Sequence, residues 1–377
     1  REHPQYWRVP SGRGYHDRCL NYAFEAVREY NLALVRELLE RYDADGLELD
    51  WLREPYCFAP GEEEKGRGIL TQFTRQVREL AERWSRKRGH PIGVAVHVPA
   101  RPESALGWGI DAVRWAKERL IDVLIPSPRW ATADFDIPIE RWRELLGEAG
   151  KDVTLAAGME LRIAPYEESS SSRNNLELMR GFSASHLDRG ADQIYLYNHF
   201  DRPEGGDTTT VDDQEEWRAI LAEGGRLETV TEKPRRHIVT YTDIEPPGEI
   251  FARQLPAPLV AGAPARFRIH TGPKPTRGQV IVRVGLSKGP CGKAYDVNGA
   301  KLAVRVNGAQ CKGVVDLDGI KSHPVYRQPQ FCDSDRVAQF EAPLGSMKRG
   351  YNEIEVTLKE RGISNQKIVW MEMYVTG

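Results

Sequence analysis

The sequence predicts an α/β region followed by an all-β region. Five short apolar segments end in polar residues, and each precedes a segment with helical periodicity. Strands that alternate with helices in this way form parallel βα units. After residue 225 the helical periodicity disappears, and β-type runs lie between Gly, Pro and Asn residues. This pattern of short β-type runs and turn residues predicts a β-sandwich.

The first helix is predicted over residues 24–42, where apolar side chains recur at helical spacing. A strand over 46–52, a loop over 54–68 and a helix over 70–88 follow, and Gly89 is expected to end that helix. The later strand and helix pairs are predicted at 92–98 with 110–120, 122–126 with 139–149, 153–161 with 176–189, and 193–198 with 214–222. The pattern fits a doubly wound sheet or part of a (β/α)8 barrel, and in both folds the strands' carboxyl ends carry the chemistry.

The change of texture also predicts the domain boundaries. Residues 1–225 are predicted to form the catalytic domain, 226–247 a linker, and 248–377 an accessory β-sandwich. The β-type runs of the last region lie at 279–284, 301–306 and 352–358.

Charge and hydropathy narrow the possible partners. The 53 Lys and Arg residues nearly balance the 55 Asp and Glu residues, and a net charge of −2 gives no electrostatic basis for binding nucleic acid. No apolar run approaches the roughly 20 residues that a membrane span needs. The chain starts at Arg1 without a signal-like segment, so the compartment stays open; a secreted or periplasmic location is favoured if a signal peptide was lost with a missing N-terminus. The oligomeric state is open.

The five cysteines show no C-x-x-C spacing, which argues against a zinc ribbon. Isolated buried thiols are the prediction, and one disulfide within the last hundred residues is the alternative for a secreted protein. The residues are Cys19, Cys57, Cys291, Cys311 and Cys332.

Alternation along the strands predicts which side chains point the same way. Glu48 and Asp50 share one face of the first strand, His97 lies inward at the tip of the second, and Glu160 lies inward at the tip of the fourth. Carboxylates are rarely buried without a partner, because desolvation costs several kcal/mol. Asp50, His97 and Glu160 are therefore predicted to serve a ligand, a cation or a proton transfer.

Each of these residues also has a structural interpretation. Asp50 and Glu160 would suit an ion-pair network with nearby arginines, and His97 would suit a satisfied core position. Glu48 lies deeper in its strand, where a salt bridge is as reasonable as substrate binding. The candidate arginines are Arg53, Arg101 and Arg162.

Aromatic and polar side chains at other strand ends suit sugar recognition, because a pyranose has apolar C–H faces and a rim of hydroxyls. The predicted substrate-binding residues are His97, Arg53, Glu48, Trp130, Tyr195, Tyr197 and Asn198. Trp51 and Trp108 are further candidates. For each aromatic residue, a place in the core is the competing interpretation.

Three consecutive segments carry a family resemblance: LNYAFEAVREY (20–30), ERYD (40–43) and DGLELD (45–50). They look like the middle of bacterial glycoside-hydrolase-like TIM barrels, where such a phrase introduces the fourth strand. The resemblance implies a functional acid at Asp50, a seventh strand bearing Glu160, and strands one to three outside this chain. The sequence departs from two patterns of such enzymes, since it has neither an Asn-Glu pair at strand four nor the chitinase signature.

The later segments KLAVRVNG (301–308) and KRGYNEIEV (348–356) resemble the jelly-roll accessory domains of many glycoside hydrolases. Alternating strands and Asn-Gly turns are their shared feature. The whole chain is thus predicted to be a TIM barrel that lacks its first strands, followed by a jelly-roll-like sandwich.

The leading functional hypothesis is hydrolysis of an oligo- or polysaccharide by the carboxylate pair Asp50 and Glu160, without a cofactor. Glu160 is the preferred acid, and His97 and Arg53 would hold sugar hydroxyls or tune the carboxylates. One alternative is a metal-dependent barrel hydrolase in which Asp50, His97 and Glu160 bind a divalent cation. The other is a non-catalytic carbohydrate-binding protein.

Overall fold

The computed structural model describes residues 3–201, 210–211, 214–287, 302–314, 329–359 and 366–377. Cys291 and the first residue of the predicted strand 301–306 lie outside these ranges. The helices are α1 Glu25–Arg41, α2 Glu63–Arg88, α3 Pro102–Gly107, α4 Ala112–Lys117, α5 Ile139–Leu146, α6 Leu176–Asp188, α7 Gln214–Glu223 and α8 Leu227–Thr231.

The strands of the first half of the chain are β1 Gly46–Asp50, β2 Gly93–Pro99, β3 Val123–Ser127, β4 Thr154–Glu160, β5 Arg162–Ile163, β6 Ser172–Arg173, β7 Gln193–Tyr197, β8 Phe200–Asp201 and β9 Thr210–Val211. Those of the second half are β10 Arg235–Ile238, β11 Ala257–Pro258, β12 Ala265–His270, β13 Val280–Leu286, β14 Leu302–Val306, β15 Ala309–Gln310, β16 Lys312–Val314, β17 Arg336–Ala342, β18 Tyr351–Leu358 and β19 Lys367–Val375.

The predicted α/β region contains a five-stranded parallel sheet in the order β1-β2-β3-β4-β7. In register, Asp50 lies opposite His97, and His97 opposite Ile125. One face of β2 is fully buried through its valines, each of which stabilises the fold by about 1.5–3 kcal/mol. The order is open in the described residues, so the parallel sheet is confirmed, and the closed barrel is not formed by them.

Strand β1 lies at one edge of this sheet, and its side chains are less buried than the sequence predicts. Leu47 and Leu49 are half-buried, and Glu48 and Asp50 are exposed residues. A groove of about 200 Å³, lined by Glu48, Asp50 and residues of α1, runs along this edge. The alternation is present, because the leucines are more buried than the carboxylates, and β1 has a hydrogen-bonded neighbour, β2, on one side only.

Two helix predictions need correction. α2 begins at Glu63, within the predicted loop 54–68, because Gly66 marks close packing rather than a break: a Cβ there would meet the Phe58 ring at 2.3 Å. The predicted helix 110–120 is short and follows a separate helix, α3. Gly109, with φ +85°, separates the two, since that backbone conformation ends a right-handed helix.

The chain divides into two compact units. Unit 1 comprises Arg1–Arg129, Ile137–Gly158 and Ile244–Phe251, and unit 2 comprises Trp130–Asp136, Met159–Asp243 and Ala252–Gly377. The chain passes from unit 1 to unit 2 within β4. These units do not follow the boundaries predicted at 225 and 247, and the predicted domains stay a prediction.

Unit 2 contains two antiparallel sheets, one of six strands with the order β10-β19-β13-β17-β16 and β11 beside β19, and one of four strands with the order β12-β18-β14-β15. Both contribute to one apolar core: Val282 and Met373 come from the first sheet, and Phe267, Val304 and Ile354 from the second. The mixed α/β class is therefore established. The jelly-roll-like sandwich stays a prediction.

The predicted linker 226–247 contains α8 and β10. Strand β10 begins with two arginines, and the sequence therefore did not predict it, because charged residues are rare in buried strands. Here Arg235 and Arg236 are both buried, and Arg236 donates two hydrogen bonds to Glu372 of β19. Glu372, which is 136 residues away in the sequence, balances the charge of Arg236 and so allows it to be buried in the strand.

The cysteines of the described ranges are free thiols. Cys57, Cys311 and Cys332 are buried, as predicted, whereas Cys19 is half-buried. Burial raises the pKa of Cys57 to about 12. Among the helices in the described residues, none has the length and apolarity needed to cross a bilayer.

Candidate active site

The carboxyl ends of β1 and β2 place Asp50 beside His97 in unit 1. The Asp50 Oδ1 atom lies 3.3 Å from His97 Nδ1 and accepts hydrogen bonds from the backbone N–H groups of Leu52 and Arg53, each at 3.0 Å. His97 is fully buried, and the Asp50 side chain is 42% exposed. Burial opposes ionisation of Asp50, but His97 and the two N–H groups outweigh it, so its pKa lies below the usual value.

A second cluster of unit 1 begins at Arg53, whose carbonyl oxygen accepts a hydrogen bond from Arg129 Nε at 3.2 Å. Arg129 also contacts Glu54 Oε2 at 3.1 Å and His16 Nε2 at 2.9 Å. Burial and the Arg129 charge lower the pKa of His16. The backbone of Arg53 thus donates a hydrogen bond to Asp50 and accepts one from Arg129, whereas the prediction concerned its side chain.

The carboxyl end of β4 places Glu160 in unit 2, where only 1% of the residue is exposed. Its Oε2 accepts a hydrogen bond from Asn198 Nδ2 at 2.7 Å, and its Oε1 accepts from the backbone N–H groups of Leu161 and Arg162 at 3.0 and 3.4 Å. Burial raises the pKa of Glu160 to about 7, although these hydrogen bonds oppose the rise. The carboxyl group can therefore hold a proton near neutral pH.

Asn198 reaches Glu160 because of the backbone at the end of β7. Its φ of +55° is in the left-handed region, which Asn adopts more readily than most residues. The next residue, His199, contacts the Tyr197 carbonyl oxygen through Nδ1 at 2.9 Å, and burial lowers its pKa to about 4. Tyr195 and Tyr197 are half-buried within β7 itself.

Trp130 and Asp243, both of unit 2, form a further polar feature. One oxygen of Asp243, Oδ2, accepts hydrogen bonds from the backbone N–H groups of Trp130 and Ala131, each at 2.8 Å. The Trp130 residue is 46% exposed, unlike most large aromatic residues of this chain. The negative charge of Asp243 contributes to the raised pKa of Glu160.

Two of the predicted associations are present as contacts: Asp50 with His97, and Glu160 with Asn198. Asp50 and Glu160 belong to different compact units, and their pairing stays a prediction. Arg162 contacts Glu160 through its backbone N–H group rather than through its guanidinium group, and the ion-pair interpretation with Arg53 or Arg101 stays a prediction. Within the described residues, no group of three or more His, Cys, Asp or Glu side chains is arranged to hold a metal ion.

Asp243 was missed by sequence reasoning because it lies in the predicted linker. A weak signal was nonetheless present. A short strand, Arg235–Ile238, is followed five residues later by Asp243, whereas Asp50 and Glu160 are the last residues of their strands. Two arginines at the start of the strand concealed it.

No protein-family model matches this chain, and no curated protein matches its sequence. Solved structures that align with it include glycoside hydrolases. A beta-porphyranase of glycoside hydrolase family 86 from the human gut bacterium Bacteroides plebeius aligns over 82% of this chain and 74% of its own, with 10% identity and a TM-score of 0.23.

A family GH18 chitinase from Chromobacterium violaceum aligns over 89% of this chain and 69% of its own, with 10% identity and a TM-score of 0.29. The chitinase ChiW from a Paenibacillus species aligns over 97% and 45%, with 10% identity and a TM-score of 0.40. Because TM-scores of this size do not establish a shared fold, the function has to be inferred from the residues of the site.

Proposed function

We propose that this chain is a glycoside hydrolase in which Glu160 is the general acid. One observation carries the proposal: a buried carboxyl group at a strand's carboxyl end, with its pKa raised to about 7. Hydrolysis of a glycosidic bond needs an acid that is still protonated near neutral pH, because the leaving oxygen is a poor leaving group without a proton.

The roles of the neighbouring residues follow from their contacts. Asn198 orients the carboxyl group through its hydrogen bond to Oε2. The exposed Trp130 offers an aromatic face for the C–H surface of a sugar ring. Proton transfer from Glu160 to the glycosidic oxygen breaks the bond to the anomeric carbon, which then receives an ionised carboxylate or a water molecule activated by one. Water completes the hydrolysis and restores the proton.

The sequence assigned the partner carboxylate to Asp50, whose pKa the His97 contact lowers, and Asp50 is the first candidate for that role. The five parallel strands are assigned to positions four to eight of a (β/α)8 barrel, as the sequence resemblance implies. Residues 248–377 are assigned to the accessory sandwich.

The test is release of reducing ends from a panel of α- and β-linked oligosaccharides and aryl glycosides. Substituting Glu160→Gln should lower kcat/KM by about 10²- to 10⁴-fold on natural linkages, the usual contribution of a general acid. Glu355→Gln is the matched control, since Glu355 lies on β18 and pairs with the exposed Arg266. Asp50→Asn tests the partner assignment in the same assay.

Three outcomes would contradict the proposal. Equal rates for the wild type and Glu160→Gln would remove Glu160 from the chemistry. Wild-type protein that binds glycans but releases no reducing ends on any substrate would favour the non-catalytic interpretation. A tightly held stoichiometric cation, whose removal abolishes turnover, would favour the metal-dependent alternative.

A further inference from the structure

Hydrogen bonds connect three segments of unit 2, one of which contains Glu160. The segments are residues 130–136, 159–164 and 240–243. The bonds run from Ala133 N to the Arg162 carbonyl oxygen (2.7 Å), from Thr132 Oγ1 to the Ala164 carbonyl oxygen (2.9 Å), from Phe135 N to Thr240 Oγ1 (3.0 Å) and from Thr242 Oγ1 to Asp134 Oδ2 (2.8 Å). Thr132, Asp134 and Thr242 are buried, so these bonds form in a dry environment, where they hold the segments firmly.

Asp243 ends the third of these hydrogen-bonded segments, and Glu160 belongs to the second. Its Oδ2 atom accepts two backbone N–H groups, those of Trp130 and Ala131, at 2.8 Å each. Backbone donors of this kind stabilise a negative charge and fix the direction of the carboxylate. The residue is partly exposed, so a substrate can reach it, whereas Glu160 is buried.

We infer that Asp243 is the second carboxylate of the site, acting on the anomeric carbon or its attacking water while Glu160 protonates the leaving oxygen. The inference rests on the proposed function and replaces Asp50 in the partner role. As nucleophile, Asp243 would form the bond to the anomeric carbon as the glycosidic bond breaks, and water would later release the sugar. As base, it would take one proton from the water. In both cases the products are a reducing sugar and an alcohol.

The raised pKa of Glu160 agrees with its role as the acid of the pair. The charge of Asp243 raises the pKa of Glu160, alongside the larger effect of burial. Glycosidic hydrolysis uses two carboxyl groups, one of which, here Glu160, holds a proton near neutral pH.

A purely structural role is the competing explanation, in which Asp243 only anchors the loop that carries Trp130. Asp243→Asn separates the two, because Asn keeps a side-chain oxygen that can accept the N–H groups but removes the charge. Asp188→Asn is a matched control in the same unit, since its carboxylate pairs with Arg349 at 2.9 Å.

The first measurement needs no substrate. The carboxyl ¹³C signal of Glu160 is titrated in the intact wild-type chain and in both variants, and its assignment is made by its loss in Glu160→Gln. In Asp243→Asn the midpoint should fall below the wild-type value, because a negative charge that raises the Glu160 pKa is gone. In Asp188→Asn it should stay at the wild-type value. An unchanged midpoint in Asp243→Asn overturns the inference whatever the activity of the protein.

The second measurement uses an aryl glycoside that the wild type hydrolyses. Asp243→Asn and Asp243→Ala should each lower kcat by about 10³-fold or more, with unchanged melting temperatures for the Asn variant. Added sodium azide should restore part of the rate in Asp243→Ala, since the anion fits the space that the carboxylate leaves and can attack the anomeric carbon or assist water.

Failure of this inference is distinguishable from failure of the proposed function. If Glu160→Gln loses activity while Asp243→Asn keeps it within tenfold, the glycosidase assignment survives and Asp243 is only an anchor. If the wild type hydrolyses nothing, the proposed function fails and the partner role of Asp243 fails with it, even where the NMR midpoint shifts.

Discussion

Glu160 and Glu372 are both buried glutamates of unit 2, yet their proton affinities differ by several orders of magnitude. The pKa of Glu160 is raised to about 7, and that of Glu372 is lowered to about 2. Burial acts against the charged form at both positions. The difference lies in the partners: neutral N–H groups surround Glu160, whereas two guanidinium groups surround Glu372.

The contacts of Glu372 are those of a structural ion pair. Arg236 donates to both carboxylate oxygens at 2.9 and 2.7 Å, and Arg283 donates to Oε1 at 2.7 Å. Trp370 Nε1 donates to Oε2 at 3.0 Å. With its charge balanced and its lone pairs used, Glu372 has no capacity left for proton transfer. The comparison teaches that burial makes a carboxyl group a candidate for chemistry only when no cation neutralises it.

The largest expected effect concerns the charge-balanced glutamate. Glu372→Gln should lower the free energy of unfolding at pH 7 by about 3–5 kcal/mol, because it leaves Arg236 and Arg283 buried without their counter-charge. Denaturant titration measures this loss. Glu355→Gln, which breaks an exposed pair, should cost less than about 1 kcal/mol. Equal losses in the two variants would contradict the structural role.

The effect of Glu160→Gln on the free energy of unfolding should depend on pH and should become more favourable to the variant as the pH rises. The folded-state pKa of Glu160 is raised, so its contribution to stability is fully present below about pH 4.5 and is lost as the pH rises toward 7. Gln does not titrate. From pH 4 to pH 8 the free energy of unfolding of the wild type should therefore fall by about 3 kcal/mol relative to that of the variant. A difference that stays constant over this range would mean that Glu160 ionises normally.

The same proton should govern the rate. In the wild type, kcat/KM is expected to fall by about tenfold per pH unit above about pH 7, because the acid form of Glu160 is lost. The residual activity of Glu160→Gln should lack this alkaline limb. A limb that survives the substitution would assign the titration to another group.

The smallest effect is expected at Asp50, because its side chain is 42% exposed and water screens its charge. Asp50→Asn should change the free energy of unfolding at pH 7 by less than about 1 kcal/mol. The folded-state pKa of Asp50 is lowered, so its contribution is present above its ordinary value near 3.8 and is lost only as the pH falls below it. A difference between variant and wild type that grows from pH 5 to pH 8 would contradict this.

Local sequence patterns predicted a good part of the fold. The apolar alternation of β2 and β4 placed His97 and Glu160 at the strand ends, and Gly89 marked the end of α2. Patterns failed where a local signal had a distant cause. Gly66 lies in a segment predicted to be a loop but makes room for Phe58 within α2, and Arg236 of β10 lies in the predicted linker but pairs with Glu372.

The sequence by itself determined where the five strands of the parallel sheet lie along the chain and which residues end them, because periodicity is a local property. Only the tertiary structure decided which of those residues can hold a proton. The proton affinity of Glu160 depends on Asn198, 38 residues further along, and the loop at Trp130 is held by Asp243, 113 residues away. Desolvation and charge act over a few ångströms in space, and no spacing along the chain records such distances.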